Sequence, residues 1–217
     1  MQNYNNKRYA YNMPARNSIK EYASEHYYHI YNRGMSKQEI FHEDDDYRYF
    51  LYLLKRHLSP QPVTDKYGRE YVHLAKSIHL VSYCLMPNHF HLLIYNDEQD
   101  GMELLMRSVI TAYSMYYNKK YDHSGRLFQG TYKASLIESE RYIQHISRYI
   151  HRNPRDYKTY QYSSYQPLIR KWDMPWLTTM LFDDIFEGTV QEYEKFVSDS
   201  EDYKSTLEEI GFDLADS

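Results

Sequence analysis

KSIHLVSYCLMPNHFHLLIY, residues 76–95, reads as two strands, 76–86 and 89–95, joined at Pro87 and Asn88. A two-residue connection between strands makes a hairpin, so an antiparallel pair seeds the fold. Side chains at i and i+2 of a strand share a face. His89 and His91 therefore stand together, with Phe90, Leu92 and Ile94 on the other side. The apolar trio is the natural face to bury against helices, which leaves both imidazoles on the opposite, open face. The residues alone allow two readings of that pair: packed structural histidines, or two ligands for a divalent metal. No HExxH helix or zinc-finger cysteine spacing accompanies them, so a closed zinc site is not indicated.

Working outward, HYYHIYNR (26–33) is a strand ending at the turn residue Gly34. FHEDDDYRYFLYLLKRHL (41–58) opens with acidic residues and continues with Phe50, Leu53, Leu54 and Leu58 at helical spacing, as a helix with its acids at the positive N-terminal end should. SPQPVTDKYGRE (59–70) is a loop. GMELLMRSVITAYSMYYNKKY (101–121) predicts a second amphipathic helix whose face carries Leu104, Leu105, Val109, Ala112 and Met115 or Tyr116.

GRLFQGTYKASLI (125–137) ends as a strand. SERYIQHISRYIHRNP (139–154) is a helix that Ser139 caps and Pro154 stops. On it Ile143, Ile146 and Ile150 form the stripe that buries, Arg141, Arg148 and Arg152 lie nearly opposite, and His145, Tyr149 and Asn153 run along the flank at steps of four. The order βαββαβα predicts an α+β fold, a ferredoxin-like antiparallel sheet with helices packed on one face. Residues 155–176 read as loop and 178–217 as short acidic helices. The expected organisation is a loose basic arm over 1–25, a main α+β domain over 26–160 and a C-terminal extension over 161–217 that is acidic from 173.

The net charge of −4 hides an asymmetry. Residues 1–172 hold 24 Lys and Arg against 17 Asp and Glu, whereas residues 173–217 hold 2 against 13. A moderately basic body thus precedes an acidic tail, which either mimics DNA and restrains the body or simply solubilises the chain. The 27 tyrosines supply rings and hydroxyls of the kind nucleic-acid surfaces use. One cysteine, Cys84, forms no internal disulfide, and no apolar run reaches the length of about 18 residues that a membrane span needs. A cytoplasmic protein without a membrane partner is expected.

YCLMPNHFHLLI resembles the His-hydrophobic-His segment of the HUH-type single-tyrosine transposases, and RYIHRNP resembles the helix that carries their nucleophile. YHIYNRGMSKQEIFHEDDDYRYFL is similar to that family's first strand and helix, and GRLFQGTYKASLI to its strand before the tyrosine helix. Together with YQYSSYQ (160–166) the likeness spans about 26–167, and it is closest to the REP-associated tyrosine transposases.

The resemblance implies Tyr149 as nucleophile and His89, His91 and Asn153 as metal ligands, although related enzymes place Gln where this chain has Asn153. Two histidines and an amide leave open coordination positions, which suits Mg²⁺ or Mn²⁺. The implied activity is cleavage and rejoining of single-stranded or hairpin DNA through a covalent 5′-phosphotyrosine, in a bacterial, nucleoid-associated protein. Two alternatives accompany it: a hairpin-binding protein that has lost strand transfer, and a phosphodiesterase that turns over without an adduct. His145 is the candidate base by position. Arg148, Arg152, Lys119, Lys120, Arg126 and Lys133 are the expected phosphate-binding surface. A homodimer that shares active sites and a monomer are both compatible with the likeness.

Overall fold

The structure, a computed structural model, describes residues 22–179, 186 and 189–199 of the 217. The expected basic arm up to residue 21 and the end of the acidic tail, 200–217, lie outside the described residues.

Four strands, β1 (His26–Arg33), β2 (Ile78–Met86), β3 (His89–Asn96) and β4 (Lys133–Ile137), make one antiparallel sheet in the order β2-β3-β1-β4. Helices α1 (Asp44–Leu58) and α2 (Gly101–Lys120) carry the chain from β1 to β2 and from β3 to β4. Each crossover skips one strand, so two split β-α-β units interleave in the expected ferredoxin-like order. The hairpin pairs Met86 with His89 across Pro87 and Asn88, and Tyr31 and Arg33 of β1 lie opposite His91 and His89.

Phe90, Leu92 and Ile94 are fully buried under α1 and α2. Phe50 of α1 meets Phe90 at 5.0 Å between ring centroids and Tyr113 of α2 at 5.1 Å. Burying each such side chain contributes about 1.5–3 kcal/mol relative to leaving it in water.

The buried face of α2 differs from the expected one. Met102, Leu105, Met106, Val109, Tyr113 and Tyr117 are buried, while Met115 is 69% exposed and Leu104, Ala112 and Tyr116 are only partly covered. The two tyrosines decide the rotation, because their hydroxyls find acceptors inside: Tyr113 donates to the Ile40 carbonyl (2.5 Å) and Tyr117 to that of Glu39 (3.2 Å). A buried tyrosine with its hydroxyl satisfied behaves as a large apolar residue.

The expectation of an open histidine face is also corrected. Helix α3 (Glu140–Arg152), capped by Ser139 through the Tyr142 N–H, packs on β2 and β3, and Tyr149 lies against His91. Beyond residue 160 the chain returns to the sheet and adds Tyr162, Tyr165 and Leu168 to the core. The Leu85 N–H donates to the Tyr162 carbonyl (2.9 Å) and the Ser164 N–H to that of Tyr83 (3.0 Å), which covers the β2 edge. Among the described residues two further helices follow, α4 (Tyr165–Ile169) and α5 (Val190–Ser198), and α5 packs on α3.

Gly34 ties β1 to the hairpin turn. Its N–H donates to the Asn88 carbonyl at 2.9 Å, and a Cβ placed on it would lie 2.1 Å from the Gln38 carbonyl oxygen. Its φ of −60° is ordinary, so close approach is what requires glycine here. Gly34→Ala is expected to cost about 1–3 kcal/mol through overpacking. Thermal unfolding checks this; an unchanged midpoint would show that the turn relaxes freely.

Candidate active site

Three histidines meet over the middle of the sheet. From β3 come His89 and His91, and from β1 comes His29, whose Nε2 lies 2.9 Å from His91 Nδ1. They are 5%, 0% and 1% exposed, respectively. Burial holds the His29 imidazole at about 3 and pushes His91 well below its usual value, with His29, His89 and Arg33 adding to the effect at His91. Both are therefore neutral near pH 7, the form in which imidazole offers a lone pair.

His89 is held at both ring nitrogens. Its Nδ1 lies 2.6 Å from Asn88 Oδ1, and its Nε2 lies 3.0 Å from Asn153 Oδ1, brought in by the C-terminal cap of α3. A neutral imidazole can donate to one of these oxygens only, so its other nitrogen keeps a lone pair beside an amide that can turn its NH2 to the ring or its oxygen to a shared cation. Two ligands at right angles on an ion with bonds of about 2.1 Å stand about 3.0 Å apart, which matches the separation of His89 Nε2 and Asn153 Oδ1. His91 Nε2 is buried and has no hydrogen-bond partner. These features fit a divalent cation held by His89, His91 and Asn153. Among the described residues no group of three His, Cys, Asp or Glu side chains could hold a metal, so such a site needs the amide.

Tyr149 comes down from α3 onto this cluster. Its ring is 5.2 Å from that of His91 at 78° and 6.0 Å from that of His29 at 77°, so it meets both imidazoles edge to face. It is 4% exposed. The helix is fixed along its length by a buried polar network: His151 Nδ1 lies 2.5 Å from the Tyr193 hydroxyl on α5, and His151 Nε2 lies 2.8 Å from Ser164 Oγ. The Tyr193 hydroxyl also donates to Ser147 Oγ (3.2 Å). Burial holds His151 at about 3, so it serves this network as a neutral ring.

The chain meets a known family here. Residues 22–153 match the model of the IS200-like transposases, a span that contains His89, His91, Tyr149 and Asn153. The chain belongs to this transposase family. Among solved structures it is similar to a REP-associated tyrosine transposase bound to a REP hairpin, with a TM-score of 0.52 and 11% identity over 75% of this chain and 90% of that one. At that identity the likeness shows a shared fold. A looser likeness, to tRNA(His) guanylyltransferase from Saccharomyces cerevisiae, has a TM-score of 0.40 at 9% identity over 88% of this chain and 80% of that one. No curated protein sequence matches the chain. Among the described residues no helix is long and apolar enough to cross a membrane.

Other expected transposase residues are placed differently. Arg148, expected on a phosphate-binding surface, is fully buried: its guanidinium lies 4.2 Å from the centroid of the Phe196 ring and donates to the Phe196 carbonyl (3.3 Å). Arg152 donates to the carbonyls of Val197 (3.3 Å) and Asp199 (3.2 Å), so both arginines hold the carbonyl end of α5. Periodicity places them opposite the isoleucine stripe; it carries no signal that a helix whose carbonyls lie 45–48 residues on would cover them. Lys120 is bound to Glu43 (2.5 Å) and Asp46 (2.6 Å). Lys119, Arg126 and Lys133 are exposed, and Lys133 sits over the Tyr31 ring at 5.5 Å.

His145, the candidate base by position, has Arg148 2.9 Å from its Nδ1 and Arg141 3.3 Å from its Nε2, only one of which it can accept from as a neutral ring, and its ring lies 5.7 Å from that of Phe196. These contacts direct it to α5 and give the base role no support. His29, Tyr31, Arg33 and Asn88 adjoin the two histidines although no motif in the sequence marks them. Period two in HYYHIYNR places the first three on one face, but the strand register that sets them beside His89 and His91 is written nowhere locally.

Proposed function

We propose that this protein is a metal-dependent DNA strand transferase that cleaves and rejoins single-stranded or hairpin DNA through Tyr149. The observation that carries the reading is convergence. His89 Nε2 and Asn153 Oδ1 lie 3.0 Å apart, and Tyr149, one turn before Asn153, packs against His91. A protein that only binds DNA has no use for a buried tyrosine set against two metal-ligand-like nitrogens.

In the proposed reaction the Tyr149 oxygen attacks a backbone phosphorus, a Tyr–O–P bond forms, and the bond to the 3′ oxygen breaks and leaves a 3′ hydroxyl. The enzyme stays joined to the 5′ phosphate of the downstream strand, so the energy of the broken bond is retained for rejoining. Free tyrosine titrates near about 10 and a phosphodiester repels anions, so both partners need help. A Mg²⁺ or Mn²⁺ ion bound by His89, His91 and Asn153 would supply charge neutralisation at a phosphate oxygen and alignment for in-line attack. The rigid seat of α3 orients the Tyr149 ring, and its burial excludes water that would divert the intermediate to hydrolysis. Lys119, Arg126 and Lys133 are the exposed cations suited to the DNA backbone.

The test is a denaturing gel of the protein with hairpin DNA labelled at either end, with and without Mn²⁺. The expected result is a metal-dependent protein band that carries the 3′-end label and not the 5′-end label. Tight binding without a band on a panel of hairpins would overturn the reading in favour of a DNA-binding protein. Turnover without a band would favour a hydrolytic phosphodiesterase.

A further inference from the structure

His29 belongs to the strand next to the histidine pair, and nothing in the proposed reaction requires it. It is nevertheless 1% exposed, its Nε2 sits 2.9 Å from His91 Nδ1, and the two rings lie at 25° to each other with centroids 5.1 Å apart. The contact is diagonal across the sheet, since the direct partners are His29 with Leu93 and Tyr31 with His91. Such diagonal neighbours are within reach of long planar side chains.

One proton sits between the two rings. If His29 donated it, His91 would have to carry its own proton on Nε2, where the structure provides no acceptor and no solvent. Buried N–H groups without an acceptor are rarer than acceptors without a donor. If His91 donates it from Nδ1, its Nε2 is left with a lone pair pointing at the site. Only the second arrangement makes His91 a ligand.

We propose that His29 is a positioning residue: it accepts the Nδ1 proton of His91 and thereby locks His91 in the tautomer whose Nε2 can bind a divalent cation. The inference rests on the metal-assisted reading above and deepens it. Asn88 does the same service for His89, whose Nδ1 it meets at 2.6 Å, so each ligand has its own orienting partner. The two partners differ in kind. Asn88 lies half-buried on the hairpin turn, whereas His29 comes from the neighbouring strand and is sealed inside, so the tautomer of His91 depends on the sheet register.

Two measurements test this without relying on activity. Long-range ¹H–¹⁵N spectra of the metal-free protein report which nitrogen of each imidazole carries the proton. The expected wild-type result is His91 protonated at Nδ1. In His29→Phe the Nε2–H form should appear, and His29→Gln, whose amide oxygen can accept in the same place, should restore Nδ1–H. A Mn²⁺ titration followed by the loss of the free-ion electron paramagnetic resonance signal should show about 10–100-fold weaker binding in His29→Phe and recovery in His29→Gln.

Wild-type His91 protonated at Nε2 would overturn the proposal. So would His29→Phe that keeps the Nδ1–H form, or that binds Mn²⁺ as wild type does while His91→Ala does not bind it. If His91→Ala binds Mn²⁺ unchanged, the metal site itself falls, and the metal-free spectra still decide the role of His29. Should His29→Phe fail to fold, the wild-type spectrum and His29→Gln carry the decision.

Discussion

Tyr149→Phe should abolish the covalent protein–DNA band while leaving the protein folded and able to bind DNA. Phenylalanine keeps the ring that packs edge to face on His91 and His29 and removes only the hydroxyl that is proposed to attack the phosphorus. Loss of a nucleophile from a preorganised site lowers the rate by at least about 10⁴-fold. The stability change should stay within about 1.5 kcal/mol, the scale of a single hydroxyl interaction. Thermal unfolding of the metal-free protein beside the gel separates the two effects. A residual band of wild-type intensity would move the nucleophile to another residue, whereas a band lost together with the melting transition would show a structural role.

The largest effect on stability is expected at Asp46. This side chain has no exposure, yet its carboxylate is surrounded by donors: the Lys120 ammonium (2.6 Å), the hydroxyls of Tyr121 (2.6 Å) and Tyr116 (2.9 Å), and the backbone N–H groups of His42 (2.9 Å) and Glu43 (3.2 Å). Burial by itself would raise its titration, but the hydrogen bonds from Lys120, Tyr121, the His42 N–H and Tyr116 outweigh it and hold the carboxyl at about 2. Asp46→Ala removes the acceptor that all five donors share and leaves Lys120 with Glu43 as its one remaining carboxylate, so the tie between the start of α1 and the end of α2 is weakened. Removing one member of such a buried charged cluster typically costs about 3–5 kcal/mol, and urea unfolding at pH 7 should register a loss of that order.

The same group sets a pH dependence. Because the folded value lies below the ordinary 3.8, the carboxylate contributes its full stabilisation above about pH 4 and loses it as pH falls toward 2. Wild type and Asp46→Ala should therefore converge in stability across that window. A constant gap between them down to pH 2 would mean that the cluster is not held together by the charge.

Much of the fold is legible in the chain because its signals are local. β1 spans the residues expected from HYYHIYNR, β3 starts at His89 after the two-residue turn, and α3 starts after its Ser139 cap and stops before Pro154. The face of α2 was not legible, because tyrosine counts as apolar or polar according to whether its hydroxyl meets an acceptor. For Tyr113 that acceptor is the backbone carbonyl of Ile40, 73 residues away. Arg148 failed for a similar reason: on the helix it occupies a solvent-type position, and α5 supplies both the aromatic ring and the carbonyl that bury it.

At the site, periodicity alone places His89 beside His91 and Tyr149 one turn before Asn153, since each pair belongs to one rigid element. That much the sequence determined by itself, together with the order of strands and helices. Only the tertiary structure decided that the two elements face each other, that Asn153 reaches His89, and that His29 stands behind His91. The physical reason is range. A repeat of two or of 3.6 residues orients side chains around their own axis, whereas strand register and helix docking arise from contacts 62 and 64 residues apart in the chain.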